Sequence, residues 1–260
     1  MKNKFYKMFV FKSLFAATAF NVHASPTLQI VSDYDDTVKI ANVNGDSLDK
    51  IEKALLSGDF YAGMAKLYDS WTIGAPQKPD PLHFLSGSPT FLEDRIEEFL
   101  KQNGFANFRL SLRNWFTQRD TALYKYNVLK SNYLKTTEDL ILVGDDTQYD
   151  HEVYNRFSKE RKIVAIYIRN INQLKLPEGQ RAFTSAFDIA AFEALEGRMT
   201  DSQALQVADA VLNDKDEKIL PEFISCSGVK TSCMTLDLSG QMKLACDKIE
   251  NRIQSICSKR

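Results

Sequence analysis

Histidine is scarce in this 260-residue chain: His23, His83 and His151 are the only three. His23 falls in the leader discussed below, His83 inside an expected strand and His151 at the start of an expected helix. Serine–histidine hydrolase chemistry therefore has no base to work with. Cysteine is absent from the first 225 residues, and the four present are Cys226, Cys233, Cys246 and Cys257. No C-x-x-C pair and no neighbouring histidine accompany them, which argues against zinc. Eleven glycines and seven prolines are too few for a collagenous or low-complexity chain. No repeat is present, and no basic amphipathic stretch reads as a membrane-surface helix. Positive charge is not in excess either. The formal net charge is −1, which argues against a nucleic-acid partner, since phosphate binding favours basic surfaces.

Acids are absent from the first 25 residues, "MKNKFYKMFVFKSLFAATAFNVHAS". Lysines open this stretch, an apolar run follows, and Val22-His23-Ala24 forms a small-x-small cleavage pattern. It reads as a signal peptide over residues 1–24, too short for a membrane span and without the cysteine of a lipoprotein anchor. Cleavage removes Lys2, Lys4, Lys7 and Lys12, leaving 29 basic against 34 acidic residues. The expected location is periplasmic or secreted. An even number of cysteines in an exported chain reads as two disulfides.

The pattern of the rest is strand and helix in alternation. "TLQIVSD", the end of "QKPDPLHFLSGSP", "FRLSLRNW", "DLILVGDD" and "KIVAIYIRN" are the expected strands. Helices are expected over residues 46–71, in "TFLEDRIEEFLKQNGF" with Gly104 as its stop, in "TALYKYNVLKSNYL" and in "DHEVYNRFSKE". Nearly continuous apolar strands separated by helices predict an α/β fold with a parallel sheet covered on both faces. Further on, "AFTSAFDIAAFEALEGRMTDSQALQVADAVLND" reads as helices, broken near Gly197 and restarted by Thr200 or Asp201. The last helix carries Met242, Cys246, Ile249, Ile253 and Ile256 on one stripe.

Cys246 and Cys257, eleven residues apart on that helix, would stand about 16 Å apart. A disulfide spans roughly 4.4–6.8 Å between α-carbons. Each must reach back to the segment holding Cys226 and Cys233, and the short return through Gly240 favours the nested pairs Cys233–Cys246 and Cys226–Cys257.

Ligands of open parallel sheets collect at the carboxyl ends of the strands. Three clusters stand there: Asp33, Asp35, Asp36 and Thr37; Ser86, Gly87 and Ser88; Asp145, Asp146 and Asp150. So many carboxylates together call for a hard cation, magnesium by preference. The Ser-Gly-Ser turn offers donors to a phosphate. Lys125, between the second and third clusters, can neutralise both a phosphoryl group and the acids.

D-x-D-x-T after a strand, a strand-end serine, a lysine and G-D-x-x-x-x-D resemble the haloacid dehalogenase superfamily of phosphohydrolases. More narrowly, "SDYDDTVK", "FLSGSP", "GDDTQYDHEVY" and "AIYIRN" are similar to the catalytic domain of the actin-patch type of phosphatidate phosphatase and its bacterial relatives, over about residues 27–170. Asp146 and Thr147 stand where that family often has Ser-Gly, and His151 where proline is common. The resemblance implies a Rossmann-like phosphatase domain over residues 25–175, followed by a disulfide-stapled helical extension over residues 176–260. It implies Asp33 as nucleophile and metal ligand, Asp35 as acid–base with its backbone carbonyl on the metal, Asp145 as metal ligand, and Lys125, Ser86, Gly87 and Thr37 around the phosphoryl group. Asp150 and Asp146 are supporting residues; Asp36 reads as structural.

The expected activity is that of an exported, Mg2+-dependent phosphoric monoester hydrolase acting on phosphatidate-like lipids. Soluble phosphomonoesters, and a non-catalytic binding protein that kept the fold, are the alternatives. The expected partner is a phosphorylated small molecule or lipid; a peripheral membrane contact stays open, and no protein partner is identifiable. Lipid access would need an apolar surface that the sequence alone does not reveal.

Overall fold

The computed structural model describes residues 27–42, 58–72 and 82–260. Six strands form one sheet: β1 (Leu28–Ser32), β2 (Leu82–Pro89), β3 (Phe108–Arg113), β4 (Asp139–Asp145), β5 (Ala165–Arg169) and β6 (Gln180–Phe183). Their order is β3-β2-β1-β4-β5-β6, and every neighbouring pair is parallel. Parallel neighbours need crossovers. Helices α1 (Met64–Thr72), α2 (Glu93–Gln102), α3 (Thr121–Tyr133) and α4 (Asp150–Ser158) lie in four of them, β5 passes to β6 without a helix, and α5 (Ala186–Leu195), α6 (Asp201–Leu212), α7 (Asp216–Ile219) and α8 (Gly240–Ser258) follow the last strand.

The two-residue period of a strand divides the core in two. Ile30, Phe84, Ile141, Val143 and Tyr167 point to one face, where Tyr68 and Trp71 of α1, Ile96 and Leu100 of α2, and much of α5, α6 and α8 cover them. Val31, Leu85, Leu140, Leu142 and Ile168 point to the other, under Leu129 and Tyr133 of α3 and Val153 and Phe157 of α4. Both faces are buried, so the central strands can be apolar without a break, as the sequence reading expects.

The extension packs into the first of these layers. Thr200 caps α6 by accepting from Gln203 N at 3.2 Å, and Gln203 Oε1 in turn accepts from Thr200 N. The stripe Met242, Cys246, Ile249, Ile253 and Ile256 of α8 is buried. Disulfides join Cys226 to Cys257 and Cys233 to Cys246, with α-carbons 5.5 and 6.0 Å apart. Asp188 of α5 ties this stapled segment to the sheet, accepting from Thr184 N, Ser185 N and Cys233 N.

Two elements differ from expectation. The helix expected over residues 46–71 is helical only from Met64 within the described residues, and residues 46–57 lie outside them. Residues 58–61 instead pair with the loop after β1, through Ile40 N to Asp59 O and Tyr61 N to Val38 O, both at 2.8 Å. Bonding between segments outweighs local helical preference there. The second difference is β6, a strand in a segment read as helical, which extends the sheet past β5.

His83 lies fully buried in β2 between Tyr133, Ser111 and Arg109. Burial first, then the nearby Arg109 charge, lowers its pKa from the ordinary 6.5 to about 3. Between those values a proton binds the unfolded chain and not the folded one. Its stabilising effect is therefore complete above pH 6.5 and lost as pH falls toward 3, on the order of 3–5 kcal/mol. Denaturant unfolding followed from pH 7 to 4 should show a shallower loss of stability in His83→Gln than in the wild type. Parallel curves would rule this group out as a source of acid sensitivity.

Candidate active site

The carboxyl ends of β1 and β4 meet where the strand order reverses, the place where open sheets hold ligands. Asp33 continues β1 and keeps a ladder bond to Val143 O at 2.8 Å. The residue is 3% exposed. Lys125, 2% exposed on α3, donates to Asp33 Oδ1 and to Asp150 Oδ1, both at 2.6 Å. Asp33, Asp145 and Asp150 each offer a carboxylate oxygen, and these three atoms lie within 4.8 Å of one another.

The loop after β1 arranges its acids in different directions. Asp35 Oδ2 accepts from Ser86 Oγ at 3.0 Å and from Ser88 Oγ at 2.6 Å. Its Oδ1 is buried with no hydrogen-bond partner among the described residues. Thr37 Oγ1 donates to Asp145 Oδ2 at 2.9 Å. Asp36 adopts φ 57°, a conformation aspartate tolerates, and its Oδ1 accepts from Ala41 N and Asn42 N. Asp36 thus folds the loop while Asp33 and Asp35 face the site.

The loop after β4 divides its acids the same way. Asp145 Oδ1 accepts from Thr147 N at 2.7 Å and from its hydroxyl. Asp146 faces elsewhere: its carboxylate accepts from the amides of Ile171, Asn172 and Leu174. Asp150, the first residue of α4, crowds against Gly144. A Cβ at Gly144 would lie 2.6 Å from Asp150 Cβ, so glycine is what lets the acid stand this close to the strand. Gly87 plays a similar part, admitting Thr121 and with it the start of α3, which carries Lys125; a Cβ there would meet Thr121 Cγ2 at 2.8 Å.

Electrostatics favours a cation. Burial pushes Asp33 well above the usual carboxylate range; Lys125 opposes this, and Asp150, Asp145 and Asp35 add to it. Burial likewise raises Asp150, to about 6, against the pull of Lys125. Asp35 is raised by burial too, and its serine bonds and Lys39 work the other way. Burial disfavours the Lys125 ammonium, yet Asp150, Asp33 and Asp145 outweigh it and hold the group charged. One lysine thus serves three buried carboxylates, and Asp150 Oδ2 has no partner among the described residues. Hard oxygen donors in excess of nearby positive charge suit a divalent metal ion.

The structure brings together Asp33, Asp35, Thr37, Ser86, Lys125, Asp145 and Asp150. Three further contributors carry no assigned role in the sequence reading. Ser88 makes the shorter of the two bonds to Asp35. Lys39, buried near Asp35 and Asp36, is lowered to about 8 by burial against their pull. Arg169 is fully buried at the end of β5, donating from Nε to Thr37 O at 3.0 Å and from Nη1 to Thr184 O at 2.9 Å. Its guanidinium stacks 3.6 Å from the Tyr61 ring centroid. The loop holding Thr37 is thereby fastened to both β5 and the residue after β6. The "IYIRN" motif was the available signal for Arg169.

Residues 28–170 match the family model described as the phosphatidate phosphatase APP1 catalytic domain. No curated protein and no solved structure matches the chain.

Proposed function

We propose, from the premise that this chain belongs to the family of the phosphatidate phosphatase APP1 catalytic domain, that it is an exported, magnesium-dependent phosphatase acting on phosphatidate-like lipids through a phosphorylated Asp33. The observation that carries this reading is the Asp33–Lys125–Asp150 bridge set beside Asp145 at the strand ends. The family supports phosphatase action on a phosphorylated substrate, and the two disulfides support an oxidising destination.

Asp33, Asp145 and Asp150 are the side chains suited to holding the metal. Bound there, Mg2+ would neutralise charge on the carboxylates and on the phosphoryl oxygens. Asp33 is the nucleophile: one carboxylate oxygen forms a bond to phosphorus as the ester oxygen leaves. Asp35 gives that oxygen its proton, and the partnerless Oδ1 is the atom free to do so. In the second half Asp35 takes a proton from water, whose oxygen attacks phosphorus and breaks its bond to Asp33, releasing phosphate. Ser86 and Ser88 orient Asp35, and Lys125 holds Asp33 in place while stabilising the transferring group.

The test is phosphate release by the purified protein from phosphatidate in mixed micelles, beside a panel of soluble phosphomonoesters. Phosphatidate should be hydrolysed with magnesium, and chelation should abolish turnover until magnesium is restored. Release from soluble esters alone would overturn the lipid assignment, and full activity in chelator would overturn the metal requirement.

A further inference from the structure

Lipid substrates pose a problem of access. The phosphate must reach buried Asp33 while the acyl chains stay in an apolar phase, and no helix among the described residues is long and apolar enough to cross a membrane. A docking surface at the rim of the site itself meets both needs.

That rim carries exposed aromatic side chains. Phe116 is 84% and Phe91 69% exposed, the two most exposed of the large apolar side chains among the described residues. Phe91 follows the carboxyl end of β2, and Phe116 follows that of β3. Between them Trp115 sits edge-on to Phe91, with ring centroids 6.4 Å apart. The group adjoins the site directly. Trp115 Nε1 donates to Gly87 O at 2.8 Å and Arg113 Nε to the same oxygen at 3.1 Å. Gly87 stands between the two serines that hold Asp35.

Phe116 does not owe its exposure to a slack loop. Asn114 Oδ1 accepts from Phe116 N and Thr117 N, Asn114 N donates to Gln118 Oε1, and Arg113 Nη1 donates to Gln118 O and Arg119 O. A well-bonded turn thus holds a phenyl ring out in water, which costs free energy unless something covers the ring.

Charge favours an anionic cover on the β3 side. Arg113 lies over Trp115, 5.2 Å from its ring centroid, and exposed Arg119 follows in the same turn. Asp120, the next acid, accepts from Leu123 N as the cap of α3. Glu93 and Asp94 stand in the first turn of α2, beside Phe91 in the chain, so the basic character belongs to the β3 side. Tryptophan settles at the headgroup level of bilayers, phenylalanine on an interfacial apolar face buries at the boundary of headgroups and acyl chains, and arginine is drawn to anionic headgroups.

We propose that Phe91, Trp115 and Phe116, with Arg113 and Arg119, dock the mouth of the site onto an anionic lipid surface. This rests on the lipid-phosphatase reading above. The aromatic rings enter the interface, and a lipid phosphate enters past Gly87 without leaving the bilayer first.

The test is flotation with vesicles of phosphatidylcholine mixed with phosphatidylglycerol, which is anionic but no monoester. It compares the wild type with Phe91→Ser/Phe116→Ser, both carrying the same N-terminus. Vesicle binding should fall by about tenfold or more in the variant, while melting temperature and hydrolysis of p-nitrophenyl phosphate stay unchanged. Phe116→Ser alone, at a position with little packing to lose, should give a partial loss and serves if the double variant folds poorly. Equal flotation of wild type and variants, or none by either, overturns the proposal and points to a protein partner or a bare rim. Flotation that needs the two phenylalanines without phosphatidate hydrolysis upholds the surface and overturns the lipid-phosphatase reading. Phosphatidate hydrolysis in vesicles that is equal in wild type and variant upholds that reading and overturns the surface.

Discussion

Asp33→Asn should lower phosphate release by about a thousandfold or more at saturating substrate, with little change in melting temperature. The amide keeps the shape of the carboxylate and can still occupy the space beside Lys125. What it loses is the oxygen nucleophile, and nothing nearby replaces it. Asp145 is bonded to Thr37 and Thr147, and Asp35 is held by Ser86 and Ser88. Asp150 lies across Lys125 from Asp33. Removing one of several crowded acids also lessens their repulsion, so the variant should be no less stable in the absence of metal. Rapid quenching with radiolabelled substrate should trap phosphorylated protein from the wild type and none from the variant. Near-normal turnover in Asp33→Asn would overturn the covalent mechanism.

Lys125→Met should damage both activity and stability. Methionine fills much of the space of the lysine stem but leaves Asp33, Asp145 and Asp150 buried without their shared cation. Breaking a buried ion pair by removing one partner costs about 3–5 kcal/mol. For a domain of this size that corresponds to a drop in melting temperature on the order of 10 °C. The loss should be largest in chelator and smaller with magnesium, since a bound cation supplies part of the missing charge. Turnover, measured well below the variant's melting point, should fall by at least about a hundredfold. A variant that melts with the wild type in chelator would show that Lys125 does not neutralise the cluster.

Much of this site is legible in the sequence because parallel sheets convert chain order into spatial order. Each of "SDYDDTVK", "FLSGSP" and "VGDD" ends a strand, so their polar residues arrive on one edge without further information. The stripe on α8 is legible for a similar reason, helical periodicity being local. The family match over residues 28–170 accords with the motifs read there. The residues that escaped are those whose role depends on distant partners. Arg169 looks like the polar end of an apolar strand; only Thr37, Thr184 and Tyr61, brought together by the fold, give it an inside position. Strand β6 is four residues, "QRAF", on the sheet edge and only partly buried, so it carries neither an apolar run nor a clean alternation. Residues 58–61 pair with the loop after β1, a choice no local pattern records. Ser88 is visible in "FLSGSP" as a turn residue, but which of the two serines lies closer to Asp35 is settled by side-chain packing.

The strand order has a consequence for how the chain assembles. The earliest strand among the described residues is an inner one of the finished sheet: Leu28 of β1 pairs with Asp139 of β4, and Ile30 with Leu82 of β2. An apolar segment that ends as deep interior must therefore wait for more than half of the chain before it is enclosed on both sides. Contacts so distant in sequence form slowly, and until then the strand has two open edges. All four cysteines come later still, so neither bridge can guide β1 to its neighbours. They become available only once all six strands of the sheet have been synthesised. The vulnerable interval of this protein falls before its bridges can form, and it is there that a carrier able to shield the early strand would matter.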